Sequence, residues 1–247
     1  MNTAVLITGC NNGIGYAITN LLLKNSYNVI GIDINDNNLL SLKQEYNSFK
    51  FIEFNLLKLA DEENKLINEL KQINLPISIL INSVGTREIV PVEELGLEKW
   101  NEVFFLNVTV PFLLSKYFIS QLDKDIYNAN IVNISSVSGL MGEPNRAAYV
   151  SSKHALIGLT KQLAVEFADK GVRVNAVAPG VVKTKMTESY FDNEETMKLI
   201  NKAHLLHRVA NPDEIANVVE FLISDKASFV TGVTWVVDGS WTAAKVI

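Results

Sequence analysis

Seven short apolar runs, at residues 4–8, 28–33, 49–54, 77–82, 130–135, 172–178 and 234–237, alternate along this chain with longer stretches whose apolar residues recur at helical spacing. Several of the runs are nearly continuous in Val, Ile and Leu. A strand with one face in water alternates apolar and polar residues, so an unbroken apolar strand is one covered on both faces, as in a parallel sheet. The amphipathic stretches at 14–24, 57–73, 98–122, 147–169 and 213–224 supply the covers. Strand and helix in strict alternation return in parallel through right-handed crossovers. The pattern therefore predicts an α/β fold with one doubly wound, mostly parallel, seven-stranded sheet and helices on both faces. No linker, repeat or low-complexity tract interrupts it, and a single domain over 1–247 is expected. Residues 183–207 stand apart: polar residues mixed with Met186, Tyr190, Phe191 and Met197 follow a Pro-Gly turn. A long irregular insertion of that composition reads as a lid.

Composition narrows the class. Hydrophobic residues make up 48% and charged residues 20%, the balance of a globular protein with a large core. The lone cysteine, Cys10, excludes an intrachain disulfide and fits a reducing compartment. A net charge of -5 argues against nucleic acid or an anionic membrane as principal partner. No uninterrupted apolar stretch reaches spanning length. The opening residues lack a basic segment followed by an apolar one, so no targeting segment and a cytoplasmic location are expected.

Thr8-Gly9-Cys10-Asn11-Asn12-Gly13-Ile14-Gly15 lies between the first strand and the first helix. Glycines there let the backbone approach a pyrophosphate, and the N-terminus of the helix turns free N–H groups and its positive dipole end toward it. A glycine-rich turn can also be purely structural. Asp33, ending the second strand, stands where a carboxylate accepts hydrogen bonds from an adenosine ribose, although an acid at that place can equally cap a turn. A 2′-phosphate beside Asp33 would be repelled, and Cys10, Asn11, Asn12, Ile34 and Asn35 offer no cation to offset it. NAD is favoured over NADP.

Tyr149-Val-Ser-Ser-Lys153 opens a helical stretch, and a spacing of four puts both side chains on one face. A neighbouring ammonium stabilises a phenolate, as proton transfer at neutral pH requires. The same pair on a solvated surface does nothing. Taken in order, Thr8 to Gly15, Asp33, Asn82-Ser-Val-Gly85, Asn107, Ser136, Tyr149, Lys153 and Pro179-Gly180 resemble the successive motifs of the short-chain dehydrogenase/reductase family, a Rossmann-type fold, over nearly the whole chain.

The resemblance implies roles. Tyr149 is the acid/base, and Lys153 lowers its pKa and holds the nicotinamide ribose. Ser136, rather than the adjacent Ser135, binds the substrate oxygen. Asn107 holds a water that links Lys153 to solvent, unless it is simply a satisfied buried amide. The cofactor lies along Gly9, Asn12, Gly13, Ile14, Gly15, Asp33, Asn55, Leu56, Asn82, Gly85, Tyr149, Lys153, Pro179, Gly180, Val182 and Thr184; Thr184 also suits the N-cap of a lid helix. Three departures stand out. Val84 replaces an alanine in the turn after the fourth strand, Asn55 replaces an aspartate near the adenine, and Gly239-Ser240 replaces a double glycine, a change expected to affect packing or assembly.

Arg87, Glu143 and Arg146, with Ser136, are candidate substrate residues and point to a sugar, sugar acid or hydroxy acid; as ordinary solvated charges they would point nowhere. His154 is expected to face away from the site as a packing residue, and His204 and His207 have no partners at metal-binding spacing. No metal is expected. The readings that follow are an NAD-dependent dehydrogenase of polar secondary alcohols, a 3-oxoacyl-thioester reductase, or a non-catalytic NAD-sensing or scaffolding protein. Family members pair through the helices matching 98–122 and 147–169 and through the C-terminal strand region. Phe112, Phe118, Leu156 and Leu159 would be buried on two sides of those helices, giving a homotetramer, or a dimer as the alternative.

Overall fold

Parallel pairing is what unbroken apolar runs require, and every strand pair in the sheet is parallel. The computed structural model describes residues 3–122 and 128–243. Strands β1 (Ala4–Thr8), β2 (Asn28–Asp33), β3 (Phe49–Glu53), β4 (Ile77–Asn82), β5 (Asn130–Ile134), β6 (Arg173–Pro179) and β7 (Thr234–Val237) form one seven-stranded sheet in the order β3-β2-β1-β4-β5-β6-β7. Chain progression reverses between β1 and β4, and a crevice opens there at the carboxyl ends of the strands. Register aligns those ends: Thr8 pairs with Asn82, and Asn82 with Asn133.

Helices α1 (Gly13–Lys24), α2 (Leu40–Glu45), α3 (Leu59–Ile73), α4 (Leu97–Phe104), α5 (Val110–Ser120), α6 (Ala147–Phe167), α7 (Glu188–Phe191), α8 (Glu194–Ala203) and α9 (Pro212–Ile223) complete the described chain. Two cores result. Ile7 joins Ile18, Leu22, Val219 and Leu222 beneath α1 and α9. Its neighbour Leu6 points the other way, onto Leu66, Leu114, Phe118 and Leu163 of α3, α5 and α6. Each such fully buried side chain contributes about 1.5–3 kcal/mol of transfer free energy, which is why β1 tolerates no polar residue before Thr8.

Two expectations are corrected, and two features are added. The stretch 98–122 is not one regular helix: a π-helical turn, Phe105–Thr109, separates α4 from α5, and the Val110 N–H bonds the Phe105 carbonyl. By length and composition Leu97–Ser120 could cross a membrane, but Val103, Val110, Leu114 and Phe118 are buried within this fold. The segment 183–207 is not irregular. A capping box between Thr184 and Thr187, and Asn193 accepting the Thr196 N–H at 2.9 Å, start short helices there. Helix α2 was not anticipated, because its six residues bury only Leu42. Finally, β7 lies at the sheet edge with Trp235 and Val236 exposed.

Candidate active site

The turn after β1 is shaped by contacts that admit no larger residue. A Cβ on Gly15 would lie 2.0 Å from the Gly9 carbonyl oxygen. The Thr8 hydroxyl accepts the Ser83 and Val84 N–H groups at 3.1 and 3.2 Å, tying this turn to the one after β4. Asn12, the N-cap of α1, makes no side-chain cap; its Oδ1 accepts from Asn38 Nδ2 at 2.8 Å instead. The leading N–H groups of α1 therefore keep the capacity to bind an anion. A cleft of about 240 Å³ lies over them. It brings together the predicted Gly9, Asn12, Gly13, Ile14, Gly15, Asp33, Gly85 and Thr184, with Ser83, Val84, Lys185 and Met186 in addition. Asp33 accepts the Asn11 N–H and the Ile34 N–H, each at 2.8 Å.

Other predicted cofactor residues do not line that cleft. Asn55 uses its Oδ1 to cap a 3-10 turn, Leu56–Lys58, through the Leu57 N–H at 3.0 Å, and Leu56 is buried. Asn82 is buried and donates to Asn133 Oδ1 at 2.8 Å. Pro179 ends β6. Gly180 and Val182 follow it, with Val182 buried and bridged to Ala210.

Tyr149 and Lys153 occupy the first turns of α6. The N-cap residue, Arg146, makes no side-chain cap. The buried Glu88 carboxylate does so from the loop after β4, accepting the Ala148 N–H at 2.8 Å and the Tyr149 N–H at 3.1 Å. Lys153 Nζ donates to the Ile134 carbonyl at 2.9 Å and lies 5.7 Å from the Tyr149 ring centroid. Burial pushes the Lys153 ammonium down to about 8 and the Tyr149 phenol above its ordinary value. The phenol's rise is contrary to expectation: desolvation outweighs the Ser136 hydrogen bond and the nearby Arg87 and Arg146 charges, which all favour the phenolate. Ser136 also bonds Ser138 Oγ at 3.1 Å. Ser135 donates to the Lys153 carbonyl at 3.2 Å and is committed to the helix. A Cβ on Gly139 would lie 2.8 Å from that same carbonyl, so the serine loop seats on α6 only with glycine there.

Asn107 sits in the π-helical turn with both amide hydrogens engaged, on the Thr86 carbonyl at 2.9 Å and Ser152 Oγ at 3.0 Å; its Oδ1 accepts the Thr86 N–H at 2.9 Å. Its side chain is a satisfied brace between three elements. Arg87 and Arg146 both donate to the Tyr190 hydroxyl, and Arg146 Nε pairs with Glu143 at 2.9 Å.

Residues 9–242 match the family described as Enoyl-(Acyl carrier protein) reductase. The chain is 35% identical over 246 residues to cyclohexanol dehydrogenase of Acinetobacter sp. (strain SE19), covering 98% of this chain and 96% of the other. The chain belongs to the short-chain dehydrogenase/reductase family. It is an oxidoreductase of that family, which acts on CH–OH groups with a nicotinamide dinucleotide. Another relative, 3-oxoacyl-[acyl-carrier-protein] reductase of Rickettsia felis (strain ATCC VR-1525 / URRWXCal2), is 36% identical over 234 residues, 95% of this chain and 94% of its own. Among solved structures, 4-hydroxyisoleucine dehydrogenase complexed with NADH is 43% identical, with a TM-score of 0.94 over 99% of this chain and 100% of that one. The same enzyme is also known complexed with NADH and succinate, at 41% identity and a TM-score of 0.89, covering 97% of this chain and 100% of that one. ElxO with NADP bound is 32% identical, with a TM-score of 0.88 over 99% of this chain and 100% of that one.

In this short-chain dehydrogenase/reductase the departures from pattern are absorbed locally. Val84 lines the cleft and packs toward the core beneath it. Ser240 takes a left-handed φ of 73°, a conformation natural to the glycine it replaces, and its N–H bonds Asp238 Oδ1 at 2.9 Å. Sequence reasoning missed Glu88, Gly139 and Lys185, and it read Tyr190 only as one of the lid's aromatic residues. It also passed over His204, which is buried: its Nε2 accepts the Val181 N–H at 3.1 Å and its ring packs on Trp241. None of the five has a local signal beyond its residue type. His154 is exposed rather than packed as expected.

Proposed function

We propose that this oxidoreductase interconverts a polar secondary alcohol and its ketone with NAD. The observation that carries the reading is the grouping of half-buried Tyr149 with buried Lys153 and Ser136, beside a glycine-shaped cleft whose Gly85 lies against Lys153 Nζ. The uncapped α1 terminus and the close approach at Gly15 fit a pyrophosphate. When bound, the dinucleotide supplies the hydride acceptor or donor. Tyr149 takes the alcohol proton in oxidation and returns it in reduction, Ser136 donates to the reacting oxygen, and the Lys153 charge steadies the phenolate. Thr184 and Val182 hold the carboxamide end, and Asn107 braces the loop beneath it. Residues 183–207 act as the substrate lid of a single domain.

Asp33, surrounded by amides, supports NAD, as does the NADH complex of the 43%-identical neighbour. Arg87, Arg146 and Glu143 support a polar substrate. The alternative, reduction of a 3-oxoacyl thioester, is favoured by the Rickettsia relative. A homotetramer is proposed from two exposed apolar regions, Phe112 and Val165 on α5 and α6 and Phe229 and Trp235 near the sheet edge.

The experiment is Tyr149→Phe. The variant should lose about 10²–10⁴-fold in kcat while still binding NADH, read by fluorescence. Full activity in the variant removes this mechanism. Wild type that binds NADH yet turns over no alcohol, ketone or 3-oxoacyl thioester with either cofactor would instead be a sensor.

A further inference from the structure

Two guanidinium groups converge on one neutral oxygen. Arg87, in the loop after β4, donates to the Tyr190 hydroxyl and the Met186 carbonyl, and its guanidinium lies 4.8 Å from the Tyr190 ring centroid. Arg146, at the start of α6, donates to the same hydroxyl. A phenol oxygen can accept both bonds but offers no charge in return. Among the described residues, Glu143 is the only carboxylate paired with either arginine. Glu143 answers the charge of Arg146, whose side chain is only 11% exposed, so the half-buried Arg87, held by a hydroxyl and a carbonyl, is the cation left to answer. Two cations and one anion leave a single positive charge. That matches a carboxylate and not a phosphate, which carries nearly two negative charges at neutral pH. The cluster adjoins the reacting group, since Arg87 follows the cleft-lining Gly85 by two residues and Arg146 is the N-cap residue of α6, three before Tyr149.

We propose that Arg87 and Arg146 form a carboxylate-binding subsite, latched by Tyr190 of α7, and that the substrate is therefore a hydroxy acid or its keto acid. This rests on the dehydrogenase reading above. The carboxylate takes the two arginine donors in the paired geometry guanidinium favours. Tyr190, still stacked on Arg87, turns its hydroxyl from acceptor to donor, and α7 is held over the bound acid. Glu143 aims Arg146 and repels a second negative charge.

The test compares aliphatic 2-, 3- and 4-hydroxy acids of four to six carbons with their methyl esters, using NAD and the full-length enzyme. Wild type should favour the acid of the best pair by at least tenfold in kcat/KM. That acid-to-ester ratio should fall about 10–100-fold in Arg87→Met and Arg146→Met, the equivalent of lost charge-assisted hydrogen bonds. It should fall by a smaller factor in Arg87→Lys, which keeps the charge without the fork. Circular dichroism checks that each variant folds. In parallel, succinate is titrated into enzyme–NADH and read by NADH fluorescence; wild type should bind at least tenfold more tightly than Arg87→Met. A wild-type ratio near one, or a ratio and succinate affinity indifferent to both Arg→Met changes, overturns the subsite. Arginine-dependent succinate binding without turnover of any acid or ester retains the subsite and overturns the dehydrogenase reading.

Discussion

Lys153 is buried and Tyr149 half-buried, and desolvation favours the neutral form of each. The lysine carries the clearer consequence, because its value of about 8 lies well below its ordinary 10.5. Between those two values the unfolded chain holds a proton that the native state has released, so native stability rises with pH across that window. Below about pH 8 both states are protonated and the full cost of the buried ammonium is borne. Urea denaturation from pH 7 to 10.5 should show this rise in wild type and a flatter profile in Lys153→Met; parallel profiles would mean that Lys153 is not the group responsible. The pairing of Tyr149 with Lys153 was legible in their spacing of four. The sign of the phenol's shift was not, since desolvation depends on what the fold packs around it. Asn107 was similarly double-edged. Its residue type allowed a relay or a satisfied amide, and only the positions of Thr86 and Ser152 show that the amide is satisfied.

At the scale of elements, α6 lacks the Ser, Thr, Asp or Asn that usually begins a helix. Glu88 caps it from 60 residues away in sequence, and its negative charge also suits the positive end of the helix dipole. Removing that carboxylate strands two N–H groups, one of them belonging to Tyr149. Glu88→Ala should destabilise the protein by about 1–3 kcal/mol and lower kcat, while Glu88→Gln, which keeps one acceptor oxygen, should lose less of both. Thermal melts and initial rates on the three proteins check this; a Glu88→Ala enzyme as stable and active as wild type would leave the cap without consequence. The strands were read to within a residue at each end because apolar runs and turn residues are local signals. The π-helical turn was not, because it arises where the side chain of Asn107 reaches across to the β4 loop. Helices α7 and α8 were not read because their apolar residues are few, although Thr184 was read as a lid-helix cap and Asn193 was available as the cap of α8.

For the whole molecule, the sheet order places every predicted catalytic residue near the carboxyl ends of the strands. The remaining question at this scale is what covers the apolar surface. Phe229 is 103% exposed and Val165 80%. Phe112 is exposed while Phe118 and Leu156 are buried, so only part of the expected two-sided burial on these helices is supplied within one chain. Assembly through both regions should give a tetramer of 247-residue chains by sedimentation velocity. Placing a charge in one region, as Val165→Glu or Trp235→Glu, should stop assembly at the dimer, because an unpaired buried charge is strongly unfavourable. A monomeric wild type, or tetramers from both variants, would contradict it.

What followed from the sequence alone was whatever is encoded locally: strand and helix period, the glycine turn, Asp33 at a strand end, and the Tyr149–Lys153 interval. These depend on residues a few positions apart, where backbone geometry converts spacing into contact. What only the tertiary structure decided were relations between distant segments: Glu88 on α6, His204 behind the Pro179-Gly180 turn, and Tyr190 between Arg87 and Arg146. Their side chains meet because seven strands stack in one order, and no interval in the chain measures that distance.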